Sequence, residues 1–139
     1  MKNIVRNFLF ICLIVAAGSS SVLSQKVSYT NLGPKEFQTQ LNKDNGFLMD
    51  VRTPEQYMAA SIVRSKLCSI NDQNFSAMLD MLDKNTPVYV YDQDGKNSAK
   101  AATMMMKKGF KKVVNLQGGL DAWKKANLEV VNLKKGAAK

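Results

Sequence analysis

The chain has 139 residues, a formal net charge of +9, 45% hydrophobic residues and two cysteines. This length suits one domain, and this hydrophobic content suits a packed core, which excludes a wholly disordered chain. Because there is no histidine, the chain cannot hold a Ser-His-Asp triad, a Cys-His nucleophile pair or a histidine-ligated zinc ion. The sequence shows no motif for a metal site or a cofactor, and we expect neither.

The first 24 residues have the layout of a secretory signal peptide. Lys2 and Arg6 precede the apolar run from Phe8 to Ala17, and small and polar residues follow it. That run is too short to cross a bilayer core of about 30 Å as a helix. We expect cleavage after Ser24 and an exported protein, periplasmic or extracellular. Cleavage after Gly18 and an uncleaved membrane anchor remain open alternatives.

Cleavage at that position would change the charge and the thiol content of the chain. It would leave 18 basic against 11 acidic residues, a net charge of +7, and it would remove Cys12. Cys68 would then be the only thiol and could form no intramolecular disulfide. Because Cys68 lies in a half-apolar predicted strand, we expect it to be buried.

Beyond residue 24 the sequence alternates short apolar strands with amphipathic helices. Strands are predicted at residues 27–30, 47–49, 65–68, 88–91 and 113–116. Helices are predicted from Pro34 to about Asn45, after a cap at Thr53, after a cap at Asn71 or Asp72, and at residues 98–108 and 120–126. This alternation is typical of a mainly parallel sheet with helices on both faces. We therefore predict one α/β domain over residues 25–131 and a flexible basic tail over residues 132–139.

The candidate site is the polar segment that follows the strand at residues 88–91. In open parallel sheets, ligands bind beyond the carboxyl ends of the strands. Backbone N–H groups that converge at the start of a helix form an anion-binding concavity. The residues of this segment are Asp92, Gln93, Asp94, Gly95, Lys96, Asn97 and Ser98.

Four segments carry a resemblance to a known family. They are Phe47–Arg52, which ends in Asp-Val-Arg, Thr53–Tyr57, Val88–Ser98, and Asn115–Trp123, which contains Leu-x-Gly-Gly-x-x-x-Trp. In this order and spacing they resemble the rhodanese-like domain over roughly residues 35–131. The resemblance implies a five-stranded mainly parallel sheet with helices on both faces. It also implies, in active members, a sulfurtransferase whose loop cysteine carries sulfane sulfur as a persulfide.

The sequence departs from the family at the decisive position. The family loop resembles Cys-x-x-Gly-x-Arg, whereas here Asp92 stands at the cysteine position and Asn97 at the arginine position, with Gly95 retained. A carboxylate cannot carry sulfane sulfur, so we expect no catalytic residue. The Asp92 carboxylate should instead act as an anion within the loop that accepts several N–H hydrogen bonds and holds the loop in one conformation. Asp94 adds a second negative charge, with Lys96 and Lys100 as partial compensation.

Two further features concern the surroundings of this loop. Asp50 and Arg52 follow a strand and could frame the pocket, although a buried Asp50 that caps neighbouring loop amides is favoured. Residues 60–65 replace the Gly-His-Ile-Pro-Gly-Ala that the family has there, so we expect a differently shaped turn.

These observations favour an exported rhodanese-like protein that is catalytically inactive and acts as a binding or regulatory domain. Its partner would be an unknown protein or a small anionic ligand. The alternatives are a thiosulfate sulfurtransferase with residual activity through Cys68 or an unusual use of Asp92, and an aspartate-based phosphatase loop in which Asp92 and Asp94 act. A calcium-binding loop is disfavoured because the segment lacks oxygen ligands that such a loop needs. It also remains open that Asp92 and Asp94 are solvated loop carboxylates of a degenerate domain.

The lysine doublets indicate a basic surface. They lie at residues 107–108, 111–112, 124–125 and 134–135. Without interleaved aromatic residues they do not favour nucleic acid. A solvated face is the simplest interpretation, and contact with an anionic envelope surface is an alternative. We expect a monomer.

Overall fold

The structure is a computed structural model that describes residues 28–136, so the predicted signal peptide lies outside the described residues. The strands are β1 Thr30–Leu32, β2 Phe47–Asp50, β3 Ser61–Ile62, β4 Lys66–Leu67, β5 Val88–Tyr91, β6 Val113–Leu116 and β7 Val130–Val131. The helices are α1 Pro34–Asp44, α2 Pro54–Ala59, α3 Phe75–Asp80, α4 Lys96–Lys107, α5 Gly119–Lys125 and α6 Leu133–Gly136. No helix within residues 28–136 is long and apolar enough to cross a bilayer.

The main sheet has five parallel strands in the order β1-β6-β5-β2-β4. The predicted mainly parallel five-stranded sheet is therefore confirmed. The central strands are continuous apolar runs because both of their faces are covered. Alternate residues of β5 show this directly, since Val88 and Val90 face one core and Tyr89 and Tyr91 face the other.

Helices cover both faces of the sheet. On one face, Phe75 and Leu79 of α3 and Met105 of α4 are buried in the same apolar cluster as Val88 and Val90. On the other face, Phe37 of α1 and Trp123 of α5 pack in an apolar cluster with both tyrosines of β5. The Phe37 ring meets the rings of Tyr89 and Trp123 edge to face, with centroids 5.2 and 6.3 Å apart.

Two short strands were not expected from the sequence. β3 and β7 pair antiparallel, with Ser61 opposite Val131 and Ile62 opposite Val130. Strands of two residues are too short to show an alternation of apolar and polar residues, and their pairing joins segments far apart in the chain. The sequence therefore gives no local signal for them. The predicted first strand also lies later than expected, at Thr30–Leu32.

Two helices begin at other residues than predicted, and one further helix lies in the tail. α3 begins at Phe75 rather than beside Asn71 or Asp72, because the Asp72 carboxylate accepts the Asn74 N–H (2.8 Å) before the helix starts. α4 begins at Lys96, two residues earlier than expected. Within the segment predicted as a flexible tail, Leu133–Gly136 forms α6 and lies against α2.

The segment at residues 60–65, for which a differently shaped turn is expected, contains a hydrogen-bonded turn with one left-handed residue. Ser65 N–H donates to the carbonyl of Ile62 (3.0 Å), and Arg64 has a φ of 70°. This left-handed conformation at the third position of a turn is the one that glycine normally supplies in a Pro-Gly turn. Arg64 adopts this conformation at a cost in backbone strain.

Candidate binding site at the carboxyl edge of the sheet

The Asp92 carboxylate fills the centre of the loop that joins β5 to α4. Its Oδ1 accepts hydrogen bonds from the Gly95 N–H (2.6 Å) and the Ser98 hydroxyl (2.8 Å), and its Oδ2 accepts one from the Asn97 N–H (2.9 Å). Asp92 is only 3% exposed. The donors that would otherwise face a ligand anion are therefore bonded to a side chain of the loop itself.

Glycines allow this loop to form beside the start of α5. Gly95 has a φ of 93°, a conformation that other residues rarely adopt. A Cβ atom on Gly119 would lie 2.6 Å from the carbonyl carbon and oxygen of Gln93. The close approach lets the N–H groups of Leu120 and Asp121 donate to the carbonyls of Asp92 (2.9 Å) and Gln93 (3.1 Å).

Asp50 and Arg52 form a buried ion pair next to this loop. The Arg52 Nη2 lies 2.6 Å from Asp50 Oδ2 and also donates to the carbonyl of Ala60. Burial alone would lower the pKa of Arg52, but the hydrogen bond and charge of Asp50 outweigh it and raise the pKa. Asp50 also accepts the Arg52 N–H (2.9 Å), which agrees with the interpretation of Asp50 as a cap for loop amides.

A cavity of about 180 Å³ opens between the loop and the ends of β2 and β4. Arg52 Nη1 donates to Gln93 Oε1 (3.0 Å) in its wall, and Gln93 Nε2 donates to Asp121. The cavity is lined by Val51, Arg52, Thr53, Gln56, Ile70, Asn71, Asp92, Gln93, Asp94 and Asn97. Four predicted site residues do not line the cavity. Asp50 is bonded to Arg52, Gly95 and Ser98 are bonded to Asp92, and Lys96 is paired with Asp94.

Asp94 is the exposed carboxylate at the rim of the cavity. It accepts the Lys96 N–H (3.0 Å) and lies 3.2 Å from the Lys96 ammonium. The backbone hydrogen bond and then the Lys96 side chain lower the Asp94 pKa. Lys100 lies near the Asn97 side chain instead (3.4 Å), so only Lys96 compensates Asp94 directly.

Five of the cavity residues were not predicted as site residues: Val51, Thr53, Gln56, Ile70 and Asn71. Thr53 and Gln56 form a reciprocal capping box at the start of α2, which fixes that helix beside the cavity. The sequence could have indicated both residues, because they follow β2 closely. The carboxyl ends of parallel strands meet at one edge of the sheet, where ligands bind.

Cys68 is 8% exposed, as the sequence predicted. Its N–H donates to the carbonyl of Asp50 on β2, whose neighbour on the other side is β5. Two strand spacings, about 10 Å, therefore separate Cys68 from Asp92. Burial, and then the charge of Asp72, raises the pKa of the Cys68 thiol, which disfavours the reactive thiolate.

The geometry argues against the phosphatase alternative. An attacking aspartate needs a carboxylate oxygen that can reach phosphorus, but both Asp92 oxygens accept hydrogen bonds from the loop. No cluster of three or more His, Cys, Asp or Glu side chains within the described part of the chain could hold a metal ion.

Comparison with known proteins places the chain in a family. A family profile described as a rhodanese-like domain matches residues 33–126, more than half of the chain. The thiosulfate sulfurtransferase GlpE of Vibrio cholerae is 26% identical over 93 residues, which cover 67% of this chain and 86% of that enzyme. The tRNA uridine(34) hydroxylase of Pelagibacter ubique is 29% identical over 101 residues, which cover 72% of this chain but 34% of that protein.

A solved structure supports the same conclusion. A rhodanese-related protein of Thermoplasma volcanium superimposes with a TM-score of 0.66 at 22% identity, over 75% of this chain and 99% of that one. This likeness shows the fold. Together with the matched profile and the arrangement of the loop, it establishes that the chain belongs to the rhodanese-like domain family.

Proposed function

We propose that this protein is an exported, catalytically inactive rhodanese-like domain that acts as a binding or regulatory module through residues 92–98. The observation that carries the proposal is the buried Asp92 carboxylate, which accepts three hydrogen bonds from its own loop. No sulfur atom stands where a persulfide would form. Export rests on the signal-like residues 1–24.

The partner is better described as a protein than as a small anion. An anion entering the cavity would find its N–H donors bonded to Asp92, and it would meet the negative charge of Asp94. Arg52 offers little net positive charge because Asp50 lies 2.6 Å from it. The exposed rim instead presents amide side chains, from Gln56, Asn71 and Asn97. Such groups exchange hydrogen bonds with a protein surface.

Sulfur transfer from thiosulfate to cyanide tests the inactivity directly. The wild-type protein, as residues 25–139, is expected to show no transfer. Asp92→Cys is expected to gain a measurable rate, because the donors that surround Asp92 could then stabilise a thiolate and a persulfide. Adding Cys68→Ser should leave both results unchanged.

Two outcomes would count against the proposal. Turnover by the wild-type protein would show that inactivity is wrong, and loss of that turnover in Cys68→Ser would identify the thiol responsible. An inactive but folded Asp92→Cys protein would show that the loop no longer accepts a catalytic anion, so that the site has changed beyond its nucleophile.

A pull-down from the source organism's envelope fraction tests the binding role. Lys96→Glu alters an exposed side chain beside Asp94 without changing the Asp92 hydrogen bonds, so it should weaken capture of a specific partner. Lys124→Glu, on an exposed position of α5, is the matched control. Equal capture by both variants and by the wild type would exclude residues 92–98 as the contact surface.

A further inference from the structure

A second cavity, of about 190 Å³, lies on the other side of the sheet from Cys68 and away from the loop at residues 92–98. Leu41, Leu48, Ile62 and Trp123 give it an apolar floor. Leu48, Ile62 and Trp123 also belong to the apolar cluster beneath α1 and α5. Ligand sites commonly combine such a floor with a few polar groups at the rim.

Two opposite charges stand at the rim of this cavity. Arg64 and Glu129 both line it. The β3–β7 pairing sets Ile62 opposite Val130. Arg64 follows the end of β3 in the turn, and Glu129 directly precedes β7. The rim therefore presents a guanidinium and a carboxylate from the segments that flank these two paired strands, above one apolar floor.

Arg64 is held at the rim by a strained backbone. Its φ of 70° is a conformation that glycine adopts without cost, whereas arginine does not. Its side chain is exposed and donates a hydrogen bond to the side-chain oxygen of Asn45, at 3.4 Å. Within residues 28–136, Arg64 is in no ion pair with Glu129 or any other acid.

We propose that this cavity binds a free α-amino acid with an apolar side chain. Arg64 would bind the carboxylate, Glu129 would bind the ammonium group, and the apolar side chain would lie on Leu48, Ile62 and Trp123. A zwitterion satisfies both charges at once, while a simple anion or cation would face repulsion from one of them. The proposal does not depend on the function of residues 92–98.

Three ligands and one intrinsic probe test this assignment. Trp123 is the only tryptophan in the chain and lines the cavity. Its indole N–H donates to the carbonyl of Glu129 (2.9 Å), so its emission should respond to a bound ligand. L-Leucine is titrated beside leucinol, which lacks the carboxylate, and 4-methylpentanoate, which lacks the ammonium group. L-Leucine is expected to bind at least about tenfold more tightly than either analogue.

Two variants assign each charge to its group. Arg64→Gly suits the turn conformation, so it should fold, and it should abolish the preference for L-leucine over leucinol. Glu129→Gln keeps the side-chain shape and should abolish the preference for L-leucine over 4-methylpentanoate. Calorimetric titration of the same pairs checks the fluorescence result.

The proposal is overturned if none of the ligands gives a saturable signal by either method at millimolar concentrations. It is also overturned if the two variants bind L-leucine as the wild type does. Tight binding of 4-methylpentanoate that Glu129→Gln does not alter would mean that the cavity takes carboxylates rather than amino acids. None of these measurements involves sulfur transfer. Their failure would therefore not bear on the proposal that the protein is catalytically inactive.

Discussion

Asp92 contributes to the stability of its loop through three hydrogen bonds that its carboxylate accepts. Replacing it with asparagine removes one acceptor oxygen and turns an N–H donor toward the N–H of Gly95 or Asn97. Because Asp92 is buried, we expect Asp92→Asn to lower the free energy of unfolding by about 1–3 kcal/mol. Urea denaturation followed by circular dichroism measures it.

Asp94 provides the control for this substitution, two residues away. Asp94→Asn keeps an oxygen for the Lys96 N–H and lies in solvent. It should shift the urea midpoint much less than Asp92→Asn does. Equal shifts would mean that the loop owes its stability to negative charge in general and not to the three buried hydrogen bonds.

The Cys68 thiol should react slowly in the folded protein. It is buried, and its raised pKa leaves little thiolate at neutral pH. We expect modification by a chromogenic disulfide reagent to be much slower in the native protein than in urea. Raising the pH should speed the native reaction, because the thiolate is the attacking species. A fast native reaction at neutral pH would show that Cys68 is accessible and would revive it as a sulfur carrier.

At the scale of elements, the turn between β3 and β4 contains removable strain. In Arg64→Gly, no Cβ atom opposes the positive φ. The hydrogen bond to Asn45 that is lost is long, at 3.4 Å. We expect Arg64→Gly to raise the free energy of unfolding by about 1 kcal/mol. Arg64→Ala is the comparison, since it removes the guanidinium but keeps the strain and should not stabilise. If both variants lower the free energy of unfolding alike, the contacts of the Arg64 side chain stabilise the fold by more than the strained backbone destabilises it.

The elements that sequence could predict are those with a strong local signal. β2, β5 and β6 are apolar runs, and α1 has proline at its start and a left-handed Asn45 at its end. The pairing of β3 with β7 and the late start of α3 depend on contacts or hydrogen bonds that no short window shows. For the site, the motif located the loop and Asp92, but only the fold shows that both carboxylate oxygens are already bonded.

At the scale of the whole molecule, Asp44 joins three parts of the fold. At the end of α1, it lies 2.6 Å from the ammonium of Lys112, which precedes β6, and it accepts the hydroxyl hydrogen of Tyr89 in β5. The hydrogen bonds from Lys112 and then Tyr89 lower the Asp44 pKa. Burial, and then the hydrogen bond to Asp44, raises the pKa of Tyr89, so that the phenol remains a donor at neutral pH.

These contacts predict how global stability depends on pH. Since folding lowers the Asp44 pKa, the carboxylate contributes stability that is complete above about pH 4, the value for an unfolded chain. That contribution is lost as the pH falls through the lower folded-state pKa. Asp44→Asn should therefore lower the Tm at pH 7, and the difference from wild type should shrink toward pH 2. Calorimetric scans across this range measure it, and Glu36→Gln, on the exposed start of α1, controls for loss of a carboxylate. A Tm difference that is constant with pH would show that Asp44 acts through packing alone and that its charge does not hold α1 to the sheet.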